Sequence, residues 1–589
     1  SQMNKLLIIS TFLPFYIFSS CEITYDEKIP LFGDLHVHTA LSLDAATQGT
    51  INRPDDAYRY AMGERISIQP YDENGNALRS SKLSQPLDFM AITDHAELLG
   101  EVHLCETSDS VSYNSLTCMV YRNFPKLAYF YMNQRASQSA PLGICGENRE
   151  LCLEASIEPW QEIINAAEKY NDPKNDCSFT SFIGYEWTGA RYSGSNLHRN
   201  VIFKNNSVPS KPISFYEATT REDLWDQLNA SCTSDCDYVV IPHNSNLSNG
   251  LIFEDPELKD YQMISKREPL IEIFQHKGSS ECIDENDPYC DFELLSYADF
   301  GAKFLGSDDP IPKESFARYA LSRGQALKEK NGTNPFKIGF IGSTDTHLAI
   351  PGATDEATMP GHGGAGKSLR DKLPKGLPDD IEFNPGGLAV VWAKKNNRDE
   401  IFQSLLNKEA YATSGPRYIV RFFAGEDISL NSCNEQDAVI KGYQNGVPMG
   451  GTLENITNKP TFFFSAKADA NDSNQFISAI QIIKSSFDND DSVSEIITLH
   501  ESSDAYDLDL DKCVVNGPKQ KSFCGVWRDE NHSPNMEASY YLRVISAPTC
   551  RWSHQLCMEN DNYCEKDQGN IPKFVQERAW TSPIWIEKN

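Results

Sequence analysis

Gly33-Asp34-Leu35-His36-Val37-His38-Thr39-Ala40-Leu41-Ser42-Leu43-Asp44 overlaps the end of an apolar run, Pro30–Leu35. His36 and His38 are two residues apart, so on an extended chain both imidazoles face the same side. Two imidazoles on one face can grip one cation. A single His-x-His is weak evidence, and the reading rests on recurrence. Leu87–Thr93 leads into Asp94-His95, and Phe182–Tyr185 leads into Glu186. His198 stands before Val201–Phe203, and Tyr238–Ile241 leads into His243. Phe336–Ile341 leads into Asp345-Thr346-His347, a second period-two pair of ligand types. One chemistry at the end of one strand after another is hard to explain by chance.

Working outward, short apolar runs rich in Ile, Val and Phe alternate with helical stretches such as Trp160–Tyr170, Arg221–Leu228 and Arg398–Leu406. Near-continuous apolar strands predict a parallel sheet buried on both faces. Strand–helix alternation with polar chemistry at strand C-terminal ends predicts an α/β barrel over residues 30–415. Residues 97–178 break the rhythm with five cysteines and several aromatics, and read as a disulfide-stapled insertion over the barrel mouth. After Gly415-Pro416 the texture shifts to strands between Asn, Asp, Gly and Pro turns, so 416–589 is expected to be a smaller β-rich domain.

The 589 residues carry a net charge of −30. Such a surface repels a phosphate backbone, which excludes nucleic acid as a ready partner. Lys5 followed by the apolar stretch Leu6–Phe18 resembles an export signal too short to span a bilayer. Phe18-Ser19-Ser20-Cys21 resembles a lipoprotein processing site, so 1–21 is expected to be a signal segment, with membrane attachment only through a lipidated Cys21. None of the close cysteine pairs (105/118, 145/152, 232/236, 282/290, 513/524 and 550/557) has Cys-x-x-Cys spacing. They are expected to form disulfides in an oxidising compartment, periplasmic, outer-membrane or extracellular.

In combination, His36-x-His38-Thr39 with Ser42 and Asp44, Thr93-Asp94-His95, the strand-terminal Glu186, the spaced His198 and His243, and Asp345-x-His347 resemble the polymerase and histidinol phosphatase (PHP) superfamily. The long form with a C-terminal β extension is similar to a bacterial PHP-like family of unknown function. The resemblance implies a distorted (β/α) barrel that holds two or three divalent metals. It implies metal ligation by His36, His38, His95, Glu186, His198, His243, Asp345 and His347, with Glu186 bridging. Asp44 stands where many relatives have His, which implies a weaker or harder third site, or a general acid/base in place of a ligand. Catalytic roles fall to Asp44, His198 and Asp345. Asp34 and Asp94 are expected to orient neighbouring imidazoles. Mixed imidazole and carboxylate ligands suit Mn²⁺, Zn²⁺ or Fe²⁺.

Arg191, Arg199, His276, Lys367 and Arg370 adjoin the ligand-bearing segments and are candidates to hold a substrate anion. Gly361–Ser368 has the spacing of a phosphate-binding loop, but the Pro-containing stretch 351–360 precedes it where a buried strand is required, so nucleotide binding is set aside. The function expected is hydrolysis of a small anionic ester, phosphate first. A sulfate ester hydrolase and a non-catalytic metal-binding lipoprotein are the alternatives.

Overall fold

The computed structural model describes residues 27–171, 177–191, 194–361, 381–488, 491–559 and 571–588. The expected signal segment with Cys21, and Lys367 and Arg370, lie outside the described residues. Nine strands carry the N-terminal part: β1 (Ile29–Asp34), β2 (Phe89–Ile92), β3 (Thr180–Trp187), β4 (Arg199–Phe203), β5 (Tyr238–Pro242), β6 (Leu270–Gln275), β7 (Gly339–Gly342), β8 (Leu388–Ala393) and β9 (Ala410–Thr413). All but β9 overlap an apolar run of the sequence.

The sheet departs from expectation in direction and closure. Strands β9-β8-β1-β2-β3-β4-β5 lie in that order in one open sheet, and β6 and β7 pair in another. Among the described residues no sheet closes on itself, so the structure is a mixed α/β fold and the expected barrel is not shown. β1/β2, β2/β3 and β6/β7 are parallel, whereas β1/β8, β8/β9, β3/β4 and β4/β5 are antiparallel. The apolar runs report burial on both faces, which is independent of strand direction. Phe32, Met90, Ile183, Val201, Val240 and Val390 pack on one side. Leu31, Phe89, Phe182, Ile202, Val239 and Val391 pack on the other, with Ile401, Phe402 and Leu405 of the helix Arg398–Leu406. β7 lies so close to the first sheet that a Cβ on Gly342 would come within 2.9 Å of the Leu388 and Thr413 carbonyl oxygens.

Beyond β9 the chain is β-rich, as expected, yet it does not leave the main sheet. Arg578–Thr581 pairs with β9 on one edge and with Ala538–Ser546 on the other. A separate antiparallel sheet is built from Ile419–Gly425, Thr461–Lys467 and Ser522–Arg528. The 97–178 region folds as five helices, including Leu99–Glu106 and Pro125–Ser137, stapled by Cys105–Cys118 and Cys145–Cys152. Cys232–Cys236 and Cys282–Cys290 also pair as expected. Cys524 pairs with Cys433 and Cys513 with Cys550, which corrects the expected 513/524 and 550/557 pairs. The sheet brings sequence-distant segments together there, so proximity in the chain was a poor guide. No helix among the described residues is long and apolar enough to cross a membrane.

A buried ionic network ties the C-terminal strands to the β6–β7 connection. Arg543 donates to Glu281 and Asp287, each at 2.8 Å, and Arg318 donates to the same two carboxylates at 3.1 and 2.8 Å. Tyr541 and Trp580 donate to Glu281 at 2.6 and 2.7 Å. Removing one partner leaves charge buried and uncompensated. Arg543→Ala is therefore expected to cost about 3 kcal/mol in urea unfolding, and a loss under about 0.5 kcal/mol would show that the network does not hold the two parts together.

Candidate metal centre

The ligand-type residues converge because β1, β2, β3, β5, β6 and β7 all end on one side of the molecule. His36 and His38 follow β1, His95 follows β2, Glu186 sits at the penultimate position of β3, His243 follows β5, and Asp345 and His347 follow β7. His198 precedes its strand, and it reaches the same place because antiparallel β4 begins where β3 ends. Backbone bridges draw these ends together. The Asp345 N–H donates to the His36 carbonyl at 3.0 Å, and the His38 N–H donates to the Thr346 carbonyl at 2.9 Å. Asp345 lies in the left-handed region with φ 56°, a conformation that Asp tolerates better than most residues.

Three overlapping groups place their ligand atoms within 4.8 Å of one another: His36, His38 and Asp345; His36, Glu186 and His243; and His38, Asp44, His95 and His347. The Glu186 carboxylate joins them. Its Oε2 is 3.3 Å from His36 Nε2 and 3.2 Å from both His38 Nε2 and His95 Nδ1. Its Oε1 is 2.9 Å from His198 Nδ1 and 3.0 Å from His243 Nε2. Asp44 lies 3.0 Å from His95 and 2.8 Å from His347, which makes it a potential ligand.

The surrounding hydrogen bonds orient the imidazoles. The Ser42 hydroxyl donates to Asp94 at 2.7 Å, so His38 Nδ1–H donates to Ser42 at 2.9 Å and His38 Nε2 keeps its lone pair. His347 Nδ1–H donates to the Asp345 carbonyl at 2.9 Å, and His36 Nδ1–H donates to Glu272 at 3.0 Å, with the same consequence for each Nε2. Asp94 thus acts on His38 through Ser42. Asp34 accepts from the Thr344 hydroxyl at 2.5 Å and the Gly352 N–H at 2.9 Å, so it organises the 344–352 turn and takes hold of no imidazole.

The electrostatics describe a cation-seeking pocket. Burial alone would raise the carboxyls of Glu186, Asp345 and Asp44. His95 and His243 hold Glu186 well below its usual range, His36 and Lys277 do so for Asp345, and His347 and His95 for Asp44. Burial lowers His243 to about 3. Against burial, Glu186 and Asp44 lift His95 to about 10.

The residues fit a divalent metal on a direct observation. His38 Nε2 and Asp345 Oδ1 are buried and 3.0 Å apart, yet neither makes a hydrogen bond. Buried polar atoms are seldom left without a partner, and two ligand atoms aimed at a common point are a natural exception. Imidazole and carboxylate donors together match Mn²⁺, Zn²⁺ or Fe²⁺.

The remaining candidates separate. His276 Nε2 is 3.1 Å from Asp345 Oδ2. Arg199 is buried against Glu268 at 2.7 Å, and Arg191 pairs with Glu254 at 3.4 Å; neither lines the cavity at the metal centre. That cavity, of about 370 Å³, is lined instead by Lys277, whose ammonium bonds Asp345 Oδ2. Gln275 donates to the same oxygen at 2.9 Å. Lys277 escaped the sequence reading, although Gln275 and Lys277 are two apart at the end of β6, the same period-two signal that marked His36 and His38.

A family model described as a protein of unknown function (DUF3604) matches residues 25–588. No curated protein matches the chain. A crystal structure from Bacteroides vulgatus, of a two-domain protein containing a predicted PHP-like metal-dependent phosphoesterase, is 11% identical over 88% of this chain and 91% of that one, with a TM-score of 0.29.

Three variants test the centre by elemental analysis after reconstitution with Mn²⁺ or Zn²⁺. His38→Ala is expected to lower metal content, whereas His532→Ala, buried beside Tyr540 and outside the ligand groups, is expected to leave it unchanged. Ser42→Ala, which frees the His38 ring, is expected to weaken metal affinity by about 10–100-fold. Equal metal content in all three proteins would show that the cluster binds no metal.

Proposed function

The chain belongs to the DUF3604 family, proteins of unknown function, and we propose that it is an exported, metal-dependent hydrolase of small phosphate esters. The observation that carries this reading is the pair His38 Nε2 and Asp345 Oδ1, buried and without hydrogen-bond partners, among ligand groups that open onto a cavity of about 370 Å³. His36, His38, His95, Glu186, His243, Asp345 and His347 would hold two or three divalent ions, with Asp44 supplying a harder oxygen ligand. Bound there, such ions supply an activated water and neutralise charge on the ester oxygens.

The chain's own residues do the rest. Lys277 reaches into the cavity from Asp345 and is placed to meet a non-bridging oxygen of the ester. An ammonium fixed there gains interaction energy as that oxygen gains charge. His198, which lines the cavity beside Glu186 and which burial keeps neutral, would take up the proton released by the attacking water. Leu43 and Leu98 border the same space and limit water around the reacting centre. The six disulfides among the described residues support an oxidising compartment and hence export.

Metal-loaded protein is expected to hydrolyse phosphomonoesters or phosphodiesters faster than sulfate monoesters, and chelation should abolish turnover. Lys277→Met is expected to lower kcat/KM by about 10–100-fold with metal content retained. Turnover of neutral carboxyl esters alone would overturn the anionic substrate. Absence of all turnover with metal bound would leave a metal-binding protein without catalysis.

A further inference from the structure

The wall of the cavity away from the ligands has a composition that the hydrolytic reading does not use. The helix Pro125–Ser137 presents one face to it, with Phe130 and Gln134 four residues apart. The short helix Phe300–Leu305 presents Phe300 and Phe304 to the same space. Phe130 and Phe304 are 59% and 62% exposed, so two large apolar faces stand in water at the entrance.

Charge is confined to the floor. Apart from the metal-centre groups, Lys277 and Glu97, no charged side chain lines the cavity among the described residues. Glu97 is itself committed, accepting from the Thr188 and Phe215 backbone N–H groups. Hydrogen-bonding capacity is nonetheless left open. Asn196 lines the cavity at 5% exposure, and its Nδ2 has no partner. Gln48 lines it as well, with its Oε1 buried and without a partner. Both atoms are closed off from solvent, whereas the uncharged amides of Asn133, Gln134 and Gln138 line the cavity beside the exposed aromatic faces.

Each simple ligand class meets this wall differently. A second anion would find no Arg or Lys beyond Lys277 among the described residues. An organic cation would find aromatic faces but no free carboxylate near them. An alkyl chain would cover Phe130 and Phe304 but strip water from the exposed Asn133, Gln134 and Gln138 amides without replacing its hydrogen bonds, at roughly 1–3 kcal/mol each. A neutral ring with hydroxyls at its edge and an apolar C–H face satisfies both features. We propose that this wall is a subsite for an uncharged sugar ring, so that the substrate is the phosphate ester of a neutral saccharide. The subsite deepens the hydrolase reading, and its test does not depend on turnover.

Saturation-transfer NMR on the metal-loaded protein, with the methyl glycosides of glucose, galactose and mannose, cyclohexanol and tetramethylammonium as separate probes, tests it. At least one glycoside is expected to receive saturation more strongly than cyclohexanol or tetramethylammonium. Phe130→Ala combined with Phe304→Ala is expected to weaken its binding by roughly fivefold or more. Phe124→Ala, an exposed aromatic of the same region outside the cavity, should leave binding unchanged. Both targets are exposed, so the double variant should keep the fold; an unchanged circular dichroism spectrum checks this. Absence of signal from all three glycosides, stronger binding of cyclohexanol or tetramethylammonium, or full binding by the double variant would each overturn the subsite. Glycoside binding without ester turnover would uphold the subsite and sink the hydrolase reading; ester turnover without glycoside binding would do the reverse.

Discussion

Glu186 is almost wholly buried, and five imidazoles surround its two oxygens at 2.9–3.3 Å. A carboxylate taken out of water to this degree is costly unless opposite charge and hydrogen bonds compensate. Glu186 lies on β3, between parallel β2 and antiparallel β4, so the strands that bring His95 and His198 flank it directly. His36, His38 and His243 approach from β1 and β5. The order of the open sheet is therefore the order in which compensation is delivered to one buried charge. Asp44, Glu272 and Asp345 lie close by, so several carboxylates share the same buried pocket.

Much of this was legible in the residues. His36-x-His38 and Asp345-x-His347 identified themselves by period two, and apolar runs located the strands to within a few residues. Direction was not legible, because Val240 and Val239 are buried on opposite faces whether β5 runs with or against β4. Closure was not legible either, since it depends on hydrogen bonding between edges that no local pattern encodes. Lys277 was hidden for a different reason. A lysine beside a strand end reads as solvent-facing until the fold places Asp345 against it. Asn196 and Gln48 carried no signal at all, since an unpartnered amide is a property of the assembled wall.

The C-terminal strands bear on the site indirectly. Arg578–Thr581 continues the main sheet from β9, so the β-rich part extends the framework that holds β1 and β8 in place. Arg543 and Trp580 reach back to Glu281, in the connection that begins just after His276 and Lys277. Cys282–Cys290 closes the same connection. The cation that lines the cavity is thus anchored by contacts from the far end of the chain. A buried ionic network is weak evidence for stability, but its geometry restrains where the β6 end lies.

The division of the cavity into a charged floor and an uncharged wall follows from electrostatics. A protein of net charge −30 repels anions at a distance, so recognition of an anionic ester has to be local. Divalent ions on the floor would concentrate positive charge where the ester bond lies, and further cations on the wall would compete for the same anion in unproductive positions. Uncharged amides and aromatic faces would hold the remainder of the proposed substrate without that competition. On the proposed reading their contribution would be uniform between ground state and transition state and would lower KM, while Lys277 and the ligand cluster would act where charge develops and therefore on kcat. The insertion supplies Phe130 and Gln134 on a helix outside the strands that bear the ligands. Specificity for the alcohol part of the substrate can accordingly change by substitution in that helix while the buried charge balance around Glu186 stays intact.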